Sequence, residues 1–213
     1  MSGLVVSDLA SAILSALGPP TDKDGHPISV TTEMTKYAQA VVDTLHAGIV
    51  ANAPGTVVAT GAPGAPITLG AATGGLISAL LPTTWLADLT SGFAGADSSQ
   101  LSAEANASTT YLMASGKVSF AVGDITGNCT ATPLSGGPLA AGAGSGGLVA
   151  GLVGSAWATT VSTGPLASPV YTAVAGYIMA NARCAYATGK VVGAFPPTGG
   201  PMTLGAGTAG TIA

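Results

Sequence analysis

Three segments of this chain align without a gap: GAPITLGAATGGLI at 64–77, GGPLAAGAGSGGLV at 136–149 and GGPMTLGAGTAGTI at 199–212. Gly64, Pro66, Gly70, Ala71 and Gly75 recur as Gly136, Pro138, Gly142, Ala143 and Gly147. They recur again as Gly199, Pro201, Gly205, Ala206 and Gly210, and Thr73, Ser145 and Thr208 keep a hydroxyl. The register extends beyond the glycines. A shift of 72 residues carries Leu76 to Leu148, Leu81 to Val153, Trp85 to Trp157 and Leu89 to Val161, and these are the only two tryptophans. The reverse shift carries Leu76, Leu81, Trp85 and Leu89 to Leu4, Leu9, Ile13 and Leu17. Apolar spacings of five, four and four residues lie near the helical period. Each glycine block is therefore expected to lead into a short helix, and the first segment of the chain is expected to be that same helix.

The reading is an α+β chain of three tandem helix–helix–β-hairpin repeats with internal pseudo-three-fold symmetry, at 1–74, 75–146 and 147–213. The second helix is expected at 33–52 in the first unit, with Met34, Tyr37, Val41, Leu45 and Ile49 on one face and Thr32 as its N-cap. Its counterparts are a weaker helix at 101–114 and one opened by Ser168 and Pro169, the latter suited to a first helical turn. Gly55-Thr56-Val57, Gly116-Lys117-Val118 and Gly189-Lys190-Val191 then open short β-prone runs, each leading through a Gly/Pro turn to a hairpin. The second unit is expected to carry about ten extra residues around 124–133, since loops tolerate insertion. Residues 199–213 read as the closing strand of the third unit.

Composition bounds the partners. Charged residues are 7% of the chain and apolar ones 47%, with 32 glycines and 14 prolines. That is neither the low hydrophobicity nor the high charge of a disordered chain. Units built so largely from alanine and valine bury little area each and must pack on one another or on partners. The net charge is −4 with five basic residues, too few for a nucleic-acid footprint.

The candidate sites read as structural. Gly142-x-Gly144-x-x-Gly147 and Gly205-x-Gly207-x-x-Gly210 match the dinucleotide fingerprint, but neither has the acid some twenty residues on that the mechanism needs. Repeat glycines account for them. His26, in the turn DKDGH, and His46, on the second helix, lack the converging ligands or paired carboxylate that metal binding or acid–base work requires. No Gly-x-Ser-x-Gly elbow or Walker motif occurs. Cys129 and Cys184, the latter expected on the second helix of the third unit, read as incidental thiols, and Trp85 and Trp157 as core anchors with Ile13 in the third place. No catalytic, cofactor or metal residue is assigned.

Residues 125–182 hold no formal charge. A membrane span within 138–162 is long enough, but Asp8, Pro82 and Asp88 on the related helices and the missing basic flanks oppose it. The opening 18 residues have no basic n-region and Asp8 interrupts them, so no signal peptide is expected. Residues 147–213 carry two basic and no acidic residues, against two basic and five acidic in 1–74. The third unit is therefore expected to bury the most surface in an assembly.

SDLASAILSALGP, helices ending on HAGIVANA or YIMANA, and the hairpin closing on GGPMTLGAGTAGTI resemble small structural proteins encoded in the virion gene clusters of tailed phages. Those proteins typically carry one such unit. The resemblance implies a non-enzymatic virion component of the tail or baseplate, made in the host cytoplasm. Its expected partners are other virion proteins and further copies around a three-fold or six-fold axis. The alternative is a membrane-active component delivered by such a particle.

Overall fold

The structure, a computed structural model, describes residues 3–17, 31–161, 166 and 168–213. Helices α1 (Val6–Ala16) and α2 (Thr32–Ala47) precede strands β1 (Ile49–Asn52), β2 (Val57–Gly61) and β3 (Thr68–Ser78). Helices α3 (Pro82–Gly92) and α4 (Ser98–Ser115) precede β4 (Lys117–Phe120), β5 (Ile125–Cys129) and β6 (Gly137–Ala150). Helices α5 (Gly154–Val161) and α6 (Ser168–Asn181) precede β7 (Arg183–Tyr186), β8 (Val191–Phe195), β9 (Gly200–Pro201) and β10 (Thr203–Ile212). The chain is thus mixed helix and sheet. It divides into two compact units that cut across the sequence divisions: a helical unit (1–47, 79–115 and 151–182) and a sheet unit (48–78, 116–150 and 183–213).

In the helical unit each helix packs on the next, and α6 packs back on α1. The buried faces carry Leu9 and Ile13 of α1, Tyr37, Val41 and Leu45 of α2, and Val170, Tyr171, Val174 and Ile178 of α6. Two tyrosines fasten this ring. The Tyr111 hydroxyl donates to the Val153 carbonyl and accepts from the Val153 N–H, at 2.9 and 2.7 Å. Tyr177 does the same with Val5, at 3.0 and 2.9 Å.

The sheet unit contains a closed six-strand barrel, ordered β1-β3-β4-β6-β7-β10 and back to β1, antiparallel throughout. Closure leaves those strands no free edge. One register recurs three times. Val50 stands opposite Gly210 and Ile77, Val118 opposite Gly75 and Val149, and Cys184 opposite Gly147 and Ile212. Strands β2, β5 and β8 pair with the first halves of β3, β6 and β10. Burial alternates along β2, as a half-buried strand requires. Inside the barrel Phe120 stacks on Tyr186 at 5.1 Å between centroids, and the Tyr186 hydroxyl donates to Asn52 Oδ1 at 2.7 Å.

Several sequence expectations change. The helix expected at 33–52 stops at Ala47, because Gly48 breaks it and the β-branched Ile49-Val50 pair takes a strand. Its cap is Thr31, whose Oγ1 accepts the Met34 N–H at 3.3 Å, rather than Thr32. Residues 75–78 continue β3, so the helix expected there begins at Pro82. The 72-residue shift holds from α3 to α5, but α1 starts 76 residues before α3. Leu9 stands four residues after Val5, as Trp157 does after Val153, Ile13 lies one turn further on, and both Leu9 and Ile13 are buried. Gly123, not Gly116, corresponds to Gly55 and Gly189, since Gly55, Gly123 and Gly189 donate to Gly205, Gly70 and Gly142 respectively. Half of the ten extra residues expected at 124–133 form strand β5, with the extra length in the 130–136 turn. Cys184 lies on β7, not on a helix.

Candidate functional site

The repeated glycines are where strands meet. A Cβ on Gly70 would collide with the Ile125 carbonyl oxygen, one on Gly142 with that of Val191, and one on Gly205 with that of Val57. The same glycines accept the hydrogen bonds from Gly123, Gly189 and Gly55, at 2.9, 2.8 and 2.9 Å. Each of β3, β6 and β10 thus lies directly on the strand beginning at Ile125, Val191 or Val57. The later glycines leave room for the barrel interior: a Cβ on Gly147 would stand 2.7 Å from the Phe120 ring, and one on Gly210 2.7 Å from the Tyr186 ring. Both fingerprint matches are therefore filled by the protein's own backbone and aromatic rings, and β6 and β10 run through them where a phosphate-binding helix would have to start.

The densest polar chemistry is in the helical unit. Glu104, on α4, is fully buried. Its Oε1 accepts hydrogen bonds from the Tyr37 and Ser108 hydroxyls, each at 2.9 Å, and its Oε2 accepts one from the Tyr171 hydroxyl at 2.6 Å. Ser108 in turn accepts the Trp157 indole N–H at 2.9 Å. Burial raises the Glu104 pKa, against the lowering effect of the hydrogen bonds from Tyr171, Ser108 and Tyr37. Burial also lifts Tyr37 and Tyr171 well above the usual tyrosine value, helped by the charge of Glu104. Both phenols therefore remain donors at neutral pH. Around this hub the rings of Tyr37, Trp85, Trp157, Tyr111 and Tyr171 form one cluster with centroid spacings of 5.3 to 6.2 Å. The hub is closed to solvent and its hydroxyls point at one carboxylate, so its chemistry is to fix α2, α4, α5 and α6 relative to one another.

Trp85 and Trp157 are both fully buried, but their indole N–H groups are paired differently. Trp157 Nε1 is bonded to Ser108, whereas Trp85 Nε1 has no partner among the described residues. Trp157→Phe is expected to cost about 1–2 kcal/mol more than Trp85→Phe, since only the first breaks a made hydrogen bond. Urea denaturation of the two variants measures this, and equal losses would show that the indole–Ser108 bond contributes nothing.

His46 sits exposed in the last turn of α2, and His26 lies outside the described residues. Cys129 and Cys184 are free and buried, and burial pushes the Cys184 thiol up to about 12. Among the described residues no three His, Cys, Asp or Glu side chains converge as a metal set, and no helix is long and apolar enough to cross a membrane. The segment 138–162 considered for a span is mostly strand β6 followed by α5.

The sheet unit exposes several large apolar side chains and carries few charges. Its three segments hold only Lys117, Asp124, Arg183 and Lys190 as charged residues. Leu69 and Leu204 are 62% and 73% exposed, and their backbones, like that of Ala141, are left-handed with φ of 50–53°. A leucine in that conformation costs roughly 1–2 kcal/mol.

No protein-family model, curated protein or solved structure matches the chain.

Proposed function

We propose that the chain is a covalently fused trimer, three tandem helix–helix–hairpin units arranged about a pseudo-three-fold axis. Its role is that of a non-enzymatic structural component of a phage tail, baseplate or related contractile particle. The observation that carries this reading is the cyclic glycine contact: Gly70 on Ile125, Gly142 on Val191, and Gly205 back on Val57. The recurring barrel register supports the same reading. A chain of this kind fits a site where three identical subunits would otherwise meet, and it presents related surfaces to a symmetric neighbour. It reaches the virion after synthesis in the host cytoplasm, and its partners are other virion proteins and further copies of itself.

The sparse charge and exposed leucines of the sheet unit support a role as a contact surface. Strain retained at an exposed apolar residue supports function over stability. Leu69→Gly and Leu204→Gly are expected to leave the isolated chain as stable or up to about 1 kcal/mol more stable, because glycine takes a left-handed φ without the Cβ penalty. Both are expected to reduce incorporation into particles. Thermal melting and quantitation in purified particles check the two halves, and a destabilised chain that incorporates normally would remove the leucines from the interface.

The central experiment is mass spectrometry and antibody labelling of purified particles. The chain is expected in stoichiometric amount at one position on the particle axis, and its absence from particles would overturn the assignment. The alternative, a membrane-active component, draws on the same uncharged surface. It requires dye release from liposomes at low protein concentration, whereas the structural role gives none.

A further inference from the structure

Within the helical unit, α1, α2, the end of α3 and the start of α6 line a half-open cavity of about 260 Å³. Its floor is buried and apolar: Ile13, Tyr37 and Val170 are each at most 2% exposed. Met34 and Phe93 form the walls, and Thr31 and Glu33 stand at the rim. A dry cavity of about 150 Å³ takes benzene, so this one has room for a longer hydrocarbon. Glu33 is exposed, and hydrogen bonds from its own backbone and from Thr31 hold its carboxyl below the usual value. The mouth therefore carries a negative charge at neutral pH. The floor is fixed from behind, since the Tyr37 hydroxyl is committed to Glu104.

We propose that this cavity is a binding site for the alkyl tail of a small amphiphile whose head group is neutral or cationic. The tail lies on Ile13, Tyr37 and Val170, and the head emerges beside Glu33. The carboxylate at the rim is solvated, so its selectivity is modest: an ammonium head is favoured over a carboxylate head about threefold. The assignment does not depend on the chain's place in a particle.

Octylammonium, octanol and octanoate, each below its micelle concentration, are the probes, read by ligand-observed NMR and calorimetry on the full chain. Saturable binding of octylammonium and octanol is expected, with octanoate about threefold weaker than octylammonium. Met34→Trp fills the cavity from its wall and is expected to weaken all three at least tenfold. Glu33→Gln, at an exposed position, is expected to abolish the ammonium preference while leaving octanol unchanged. Thermal melting of both variants separates lost binding from lost folding. Co-sedimentation with phosphatidylcholine vesicles, tested with and without Met34→Trp, distinguishes the tail of a bilayer lipid from that of a free amphiphile. Non-saturable uptake, or affinities unchanged by Met34→Trp, would overturn the site.

Discussion

Gly142→Ala, Gly70→Ala and Gly205→Ala are each expected to destabilise the protein by about 3 kcal/mol or more, the upper end of the overpacking range. The added methyl would meet a backbone carbonyl, at Val191, Ile125 or Val57. A flexible side chain could swing away, but these carbonyls belong to strands held in the sheet on both sides. Relief would require one long strand to lift off its neighbour, which also stretches the 2.8 Å bond from the Gly189 N–H to the Gly142 carbonyl. For a chain of this length 3 kcal/mol corresponds to roughly 6–12 °C in Tm. Against a typical total of about 5–15 kcal/mol, the triple variant is expected not to fold. Gly176→Ala is the control. It lies within α6 with nothing near the added methyl, so it should stabilise by about 0.5–1 kcal/mol. Calorimetry of the four variants decides the matter. A Gly142→Ala chain that melts with the parent would mean that the glycines are compositional rather than required by contact.

Those glycines were legible in the sequence because their contact recurs, and a recurring contact leaves a recurring residue. What they touch was not legible, since Gly70 and Ile125 are paired only by the closed path of the barrel. Strand β4 falls in the β-prone run expected from Lys117, but strands β1 and β7 were missed for a local reason. Each is four residues long and follows directly on a helix, so Ile49 falls in helical register with Leu45 and the break at Gly48 was overridden. The first segment does form the expected helix, α1, but it starts 76 residues before α3 where α3 starts 72 before α5, so its register differs by one turn. The closed barrel was not anticipated either: hairpin signals mark neighbours in sequence, whereas the contact of β1 with β10 joins opposite ends of the chain.

Glu104 is the largest omission. Within SSQLSAEANASTT it reads as an ordinary solvated helix residue, and α4 has no apolar face clear enough to mark its inner side. Its tyrosine partners lie 67 residues away on either side, close to the 72-residue spacing of the glycine blocks at 64 and 136. Counting back from the helix ends at Ala47, Ser115 and Asn181, Tyr37 and Tyr171 occupy one position on the second helices, and Ala105 stands where the third tyrosine would be. The carboxylate beside that alanine takes the space and both phenol hydroxyls. Under the proposed repeat, a missing aromatic next to an acid at that position was the available signal.

Glu104→Ala is expected to cost about 3–5 kcal/mol, because it leaves the Tyr37 and Tyr171 hydroxyls buried without their acceptor and opens a cavity beside them. Glu104→Gln separates charge from shape. Its amide oxygen can accept from Tyr37 and Ser108, and its NH₂ can donate to Tyr171, whose hydroxyl is also an acceptor. Burial raises the folded pKa of Glu104, so the folded state binds its proton more tightly than the unfolded state does. The stabilisation from that proton is complete below the unfolded value of about 4.3 and is lost as pH rises through the higher folded value. Glutamine, which does not ionise, lacks this loss. The stability of the parent relative to Glu104→Gln is therefore expected to decline from pH 4 towards neutrality and then level off. Asp88, whose pKa is also raised by burial, and Glu33 and Asp97, whose pKa values are lowered by hydrogen bonds, are common to both proteins and drop out of the difference. Urea denaturation of the pair from pH 4 to pH 8 measures it. Parallel profiles would mean that Glu104 titrates alike in the folded and unfolded chain, and that burial in the helical ring does not raise its pKa.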